Sequence, residues 1–242
     1  MYGWRGRIGI IVPSSNTTCE PEYQQMAPKG VSVHASRVYN PEVKNEAEKE
    51  AAMLQMNREV ERAAREVASV EPQVIVYGCT TGSFLKGPEY DREVEQKITS
   101  ATGIQTLTTT TAVVEALSAF NLKRIAMATP YTGGTASKER NFLENVIPGL
   151  KVVSEKNLEI LSNLDRGKLL PLNAYRAIQE ILTDEVEGVF ISCTNWRTIE
   201  IIGTLENDLG KPVVTSNQAS MWLALKKMRM KGDPLYGSLF HV

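Results

Sequence analysis

Histidine is nearly missing from this 242-residue chain, which holds only His34 and His241. A Cys-His hydrolase dyad would need one of them as its base. His34 lies inside a strand-like run and His241 is the penultimate residue, so neither follows a loop of catalytic character. Cysteine is scarce and odd in number, at three. No secreted disulfide framework is expected from that count, and the thiols are too far apart in sequence to form a metal-ligand set. Neither GxGxxG nor GxxxxGK[ST] occurs, so dinucleotide and P-loop readings lose their main support. No apolar run approaches the roughly 20 residues that span a bilayer. Charge of one sign is also lacking: 27 Lys and Arg stand against 28 Asp and Glu, interspersed, for a formal net charge of −1. There is no basic stripe to neutralise phosphates, and nucleic acid is excluded as an expected partner. The opening MYGWRGR enters a strand by Arg7 and leaves no room for a signal peptide. The expectation is a soluble, reduced, cytoplasmic protein without membrane or nucleic-acid partners.

What is present is a repeat. RIGIIVPSSNTT from Arg7 parallels RIAMATPYTGGT from Arg124. VIVYGCTTGS, carrying Cys79, parallels GVFISCTNWR, carrying Cys193. Thr102-Gly-Ile-Gln-Thr-Leu-Thr, leading to Ala112, parallels Leu209-Gly-Lys-Pro-Val-Val-Thr, leading to Ala219. Three landmarks recur in order at offsets of 117, 114 and 107 residues, a drift that loop-length changes produce. Duplicated halves follow.

Strands are predicted at Arg7–Pro13, Val31–Tyr39, Gln73–Gly78, Ile104–Thr108, Arg124–Thr129, Lys151–Leu158, Glu187–Ser192 and Pro212–Ser216. Most are continuously apolar, as strands covered on both faces are. Helical patterns lie between them at Lys44–Ser69, Gly133–Val146, Lys168–Thr183 and Gln218–Lys231. Alternation of this kind predicts parallel sheets wound by right-handed crossovers, hence an α/β fold of two similar halves with four strands each. The division expected is 1–117 for the first half, completed by a C-terminal helix within 217–242, and 118–216 for the second.

Ligands of parallel sheets sit beyond the carboxyl ends of the strands. The segments there are Pro13–Thr18, Cys79–Ser83, Thr108–Thr111, Pro130–Thr135, Ser162-Asn163, Cys193–Asn195 and Thr215–Asn217. They are rich in hydroxyl, amide and thiol groups and nearly free of charge. Such groups cap helices, and they also wrap anions. Two of the loops carry a cysteine at the apex, which favours a site. A free thiol has a pKa of about 8.5, and a helix N-terminus lowers it. One thiolate and one thiol facing across a pocket make a nucleophile–acid or base–acid pair. Cys19 has no counterpart in the second half and is read as a structural residue at the start of a helix.

VPSSNTT after the first strand, CTTGSF at Cys79, TPYTGG at Tyr131 and SCTN at Cys193 together resemble the aspartate/glutamate racemase superfamily. Within it the chain is most similar to maleate cis-trans isomerases, with arylmalonate decarboxylases as near relatives. The resemblance implies two Rossmann-like halves about a pseudo-twofold axis, each a four-stranded parallel sheet flanked by helices, with the active site in the cleft between them. It implies Cys79 as nucleophile and Cys193 as the opposing acid/base. Asn16, Tyr131 and Asn163 would bind substrate carboxylates, assisted by Ser14, Thr80, Thr81 and Thr194, with Asn157 and Asn173 as alternatives to Asn163. It further implies no cofactor, no metal, a small dicarboxylate substrate held by neutral donors, and a homo-oligomer, dimer or larger.

The expected reaction is thiolate addition to maleate, rotation about the resulting single bond, and elimination to fumarate. The alternatives are a two-cysteine racemase or epimerase, a decarboxylase of a small acid, and a non-catalytic dicarboxylate-binding protein. Arylmalonate decarboxylases have glycine where this chain has Cys79, which counts against that branch. Amino-acid racemases usually place an Asp-Ser motif where this chain has Pro13-Ser-Ser-Asn16.

Overall fold

Each β-branched run becomes a strand. In the computed structural model, which describes residues 2–242, these are β1 (Gly6–Pro13), β2 (Val31–Val38), β3 (Val74–Tyr77), β4 (Thr106–Thr108), β5 (Arg124–Thr129), β6 (Lys151–Asn157), β7 (Gly188–Ile191) and β8 (Val213–Thr215). The helices of the first half are α1 (Cys19–Met26), α2 (Glu46–Arg58), α3 (Val60–Ala68), α4 (Thr80–Phe84), α5 (Tyr90–Thr102) and α6 (Thr109–Ala119). Those that follow are α7 (Gly133–Val146), α8 (Asn163–Arg166), α9 (Pro171–Ile181), α10 (Ile202–Leu209) and α11 (Ser216–Lys227).

The strands form two four-stranded sheets, ordered β2-β1-β3-β4 and β6-β5-β7-β8, with every pairing parallel. The two orders are the same order repeated, as the duplicated sequence predicts. In each sheet the winding reverses between the two central strands, which is where open α/β sheets hold ligands. The repeat extends to single hydrogen bonds. Gly78 N–H donates to Ile11 O at 2.8 Å and Ser192 N–H donates to Ala128 O at 2.9 Å. Both bonds clamp the residue before a cysteine to the neighbouring central strand. Thr108 and Thr215 occupy equivalent N-caps, accepting from the N–H of Thr111 and Gln218.

The halves share one core. A single buried cluster runs from Ile8, Ile10 and Val76 of the first sheet through Ala112 and Ala116 of α6 and Ala219 and Leu223 of α11 to Met127 and Phe190 of the second. Helix α11 packs on α6 and also reaches β3 and β4 of the first sheet. A second cluster covers the other face of the first sheet, where Ile11, Ile75 and Tyr77 meet Val60, Ala64 and Val67 of α3 and Ile98 of α5.

The helix expected over Lys44–Ser69 is two helices, broken at Glu59. The apolar periodicity that suggested one helix holds only for α3. Helix α2 buries Lys49, Ala52, Met53, Met56 and Asn57, while Ala51 is exposed. Its inward face is therefore partly polar, and that face looks toward the cleft.

Candidate active site

The carboxyl ends of β1, β3, β5 and β7 converge on a cavity of about 180 Å³ lined by Asn16, Cys79, Thr80, Thr81, Tyr131, Asn163, Cys193 and Thr194. Drug-sized ligands occupy roughly 300–1,000 Å³, so this space suits a small metabolite. One thiol comes from each half.

The two cysteines differ in their local structure. Cys79 is the N-cap of α4, and its Sγ accepts from Gly82 N–H at 3.3 Å. Cys193 opens no helix. It holds a positive φ of 115°, a strained value for a side-chain-bearing residue, and its Sγ accepts from Asn195 N–H at 3.4 Å. Its own N–H donates to Ser216 Oγ at 3.0 Å, and the same oxygen accepts from Thr80 Oγ1 at 3.3 Å. Thus one serine of α11 braces both thiol loops.

The helix N-terminus was expected to lower the thiol pKa. Burial outweighs it: the Cys79 thiol is pushed up to about 11, first by desolvation and then by the neighbouring Cys193, against the opposing Gly82 N–H. Cys193 is raised by the same desolvation, opposed by the charge of Arg166 and by hydrogen bonds from Asn195 N–H and the Tyr131 hydroxyl. Both sulfurs rest as thiols at neutral pH.

Asn16 is buried, and its side chain is committed on two sides. Oδ1 accepts from the N–H groups of Thr18 and Cys19 at 3.0 and 2.9 Å, fixing the start of α1. Nδ2 donates to Thr194 Oγ1 across the cleft at 3.1 Å. An amide has two N–H bonds, so the second remains for a ligand. Asn163 stands at the first position of α8 and donates to Ser15 Oγ at 2.8 Å. Of the three candidate asparagines on that side it alone lines the cavity. Asn157 accepts from Thr129, and Asn173 accepts from Leu170 N–H at the start of α9. The Tyr131 hydroxyl lies beside Cys193 and Thr81.

Ser14 does not line the cavity. It is exposed, and its Oγ accepts from Asn40 N–H at 3.0 Å. Ser15 takes the cavity position instead. A Ser-Ser doublet at a strand end leaves the choice to a one-residue register, which only the turn decides. Cys19 is fully buried at the start of α1, beside Gly78 and outside the cavity wall. His34 pairs with Ser32 on β2 at 2.8 Å, away from the site.

The sequence reading missed two cations. Lys49 of α2 and Arg166 of α8 both line the cavity and are 5% and 4% exposed. Lys49 Nζ lies 5.3 Å and Arg166 Cζ 4.8 Å from the centre of the Tyr131 ring. The cavity, expected to be walled by neutral donors alone, therefore also carries two cationic side chains. Lys49 sits in a charged helical stretch that reads as solvated, and Arg166 follows a polar loop. The one available signal was a helix whose apolar stripe is too sparse before Val60.

A paired-thiol cavity closed between two equivalent parallel sheets defines a bilobal α/β protein with a site for cysteine chemistry on a small anion. The family model for arylmalonate decarboxylase matches residues 8–240, and the chain belongs to that family. It is 30% identical to the maleate isomerase of Pseudomonas putida over 238 residues, covering 93% of this chain and 92% of that protein. It is also 30% identical to the arylmalonate decarboxylase of Bordetella bronchiseptica, over 66% of this chain and 68% of that one. Among solved structures, a cysteine-to-serine mutant of the Nocardia farcinica maleate cis-trans isomerase, with a covalently bound succinylcysteine intermediate, superposes with a TM-score of 0.88. Its identity is 27% over 97% of this chain and 98% of that one. The resemblance to maleate isomerases read from the four strand-end motifs is borne out.

Proposed function

We infer that this protein is an isomerase that converts maleate to fumarate by covalent cysteine catalysis without a cofactor. The observation that carries the reading is a thiol from each half facing one small cavity whose wall holds amide donors and two cations. The covalent succinylcysteine on the related Nocardia farcinica enzyme supports an addition mechanism.

Turnover begins once one of the two thiol protons has left to solvent, so that the working state holds one proton between the two sulfurs. The Cys79 thiolate adds to one alkene carbon, forming a C–S bond, and the π electrons move onto the neighbouring carbon and its carboxylate. Asn16, Asn163 and the Tyr131 hydroxyl stabilise that charge as an oxyanion hole does. Cys193 donates its proton to the carbanion, giving a succinyl thioether and leaving Cys193 as thiolate. The former double bond is now single and rotates. Cys193 then removes a proton from the same carbon, the C–S bond breaks, and fumarate leaves with Cys79 again a thiolate. Division into steps replaces a forbidden rotation about a double bond.

Two rivals fit less well. An amino-acid racemase must hold an ammonium group, which the Lys49 and Arg166 charges repel. A decarboxylase of the arylmalonate type lacks the first cysteine. The reading carries with it a cytoplasmic location and assembly into a dimer or larger homo-oligomer, which sedimentation measures. Its direct test is Cys79→Ala incubated with maleate: no fumarate and no covalent adduct by mass spectrometry are expected, and turnover by this variant overturns the assignment.

A further inference from the structure

Buried cations are costly unless paired, and the two in this cavity are poorly paired. Arg166 forms no ion pair among the described residues. Its Nε and Nη2 donate to the carbonyls of Ile160 and Leu161 at distances of 2.7 to 3.1 Å. Lys49 donates to Thr135 Oγ1 at 2.6 Å and meets one carboxylate, Glu46, only at 3.9 Å. The other acids nearby do not neutralise the pair. Glu42 stands exposed at the cavity mouth without an ion pair among the described residues. Glu139 is fully enclosed and accepts from Ser192 Oγ at 2.6 Å, forms no ion pair with either cation among the described residues, and is pushed by burial up to about 8. Two positive charges thus face a space lined otherwise by amides, hydroxyls and thiols. Both lie over the Tyr131 ring, whose quadrupole offsets part of their mutual repulsion.

We propose that Lys49 and Arg166 form a cationic clamp that makes the site selective for doubly charged dicarboxylates over singly charged analogues of the same shape. The clamp rests on the reading of the cavity as a dicarboxylate site and adds to it the element that sets charge selectivity. It adds long-range positive charge to the same cavity wall that holds the short-range donors Asn16 and Asn163. Charge then discriminates between a carboxylate and its isosteric amide, which hydrogen-bond donors alone do weakly, because an amide oxygen accepts the same bonds. Arg166 has a second effect on the same wall, since its charge opposes the upward shift of both thiols.

The test is calorimetric titration of the full-length protein with succinate and with its monoamide, succinamate. Neither contains the alkene, so binding is read apart from turnover. The wild type is expected to bind succinate at least tenfold more tightly. Lys49→Gln, which keeps a donor toward Thr135, and Arg166→Gln should each reduce that ratio threefold or more. Arg166→Lys, which keeps the charge but loses the fork onto Ile160 and Leu161, should retain it. A ratio unchanged in both glutamine variants overturns the clamp, as does an Arg166→Lys variant that behaves like Arg166→Gln. Wild type that prefers succinate yet leaves maleate unconverted sinks the isomerase reading and leaves the clamp standing. Wild type that does not distinguish the two ligands sinks the clamp alone.

Discussion

Thr194, the residue after Cys193, donates its hydroxyl to the carbonyl of Gly78, the residue before Cys79, at 3.2 Å. The two cysteine loops are thus tied to each other directly, and Thr194 also receives the Asn16 amide. The cleft is closed at its base by side chains of the motifs themselves. This tie fixes the relation between the two thiol loops.

Asn16→Asp keeps an oxygen to accept from Thr18 and Cys19, so α1 should still start correctly. It removes the donor toward Thr194 and sets a negative charge against a carboxylate ligand. Affinity for succinate should fall at least tenfold in a titration, and the melting temperature should fall as well, through one lost hydrogen bond, about 1–2 kcal/mol, and the burial of a carboxylate. Unchanged affinity would remove Asn16 from the ligand-binding set.

The thiols of the unliganded enzyme should react slowly with iodoacetamide at pH 7, because burial holds them as thiols. Deprotonation makes the nucleophile, so the rate should climb as pH rises above 9 and still be rising at pH 10 for Cys79. Peptide mapping separates Cys79 from Cys193 and from Cys19. A plateau already reached at pH 8 would show that the N-terminus of α4 dominates over burial.

Glu22 of α1 accepts from the N–H groups of Thr198 and Ile199 at 2.7 and 3.2 Å and from Asn217 Nδ2 at 2.6 Å. It joins the first half to the loop beyond Cys193. Burial nevertheless raises its pKa to about 7 from an ordinary 4.5. A carboxyl raised in the folded state stabilises fully below its unfolded pKa, and that contribution is lost as pH rises toward 7. The contribution is on the order of 3 kcal/mol. Stability should therefore decline between pH 4.5 and 7, with Glu139 extending the decline toward pH 8. Glu22→Gln should flatten the part below pH 7, measured as melting temperature against pH. The same slope in both proteins contradicts this assignment.

Much of the fold was legible because its signals are local. Mostly continuous apolar runs bounded by Gly, Pro and Asn marked the eight strands, and the repeat of Arg7, Cys79 and Thr102 segments announced two equal sheets. The strand ends then located the cavity. What escaped was set by tertiary position. Helices α5, α6, α8 and α10 lie in segments for which no helix was predicted, and the break at Glu59 leaves no proline or glycine to read. Ser15 replaced Ser14 by one residue of turn register. Lys49 and Arg166 look solvated in sequence, because a lone cation carries no mark of the cavity that the fold builds around it. The unequal surroundings of the thiols, a helix cap at Cys79 and a strained turn at Cys193, also arise only once the chain is folded.

The central claim is addition to an alkene followed by rotation, and proton NMR of the purified protein with maleate in deuterated buffer reads it most directly. The maleate vinyl signal should decline while a fumarate signal grows, and Cys79→Ala should show neither change. Maleate left intact by the wild type, together with exchange of deuterium into the α-position of a chiral amino or hydroxy acid, would contradict it.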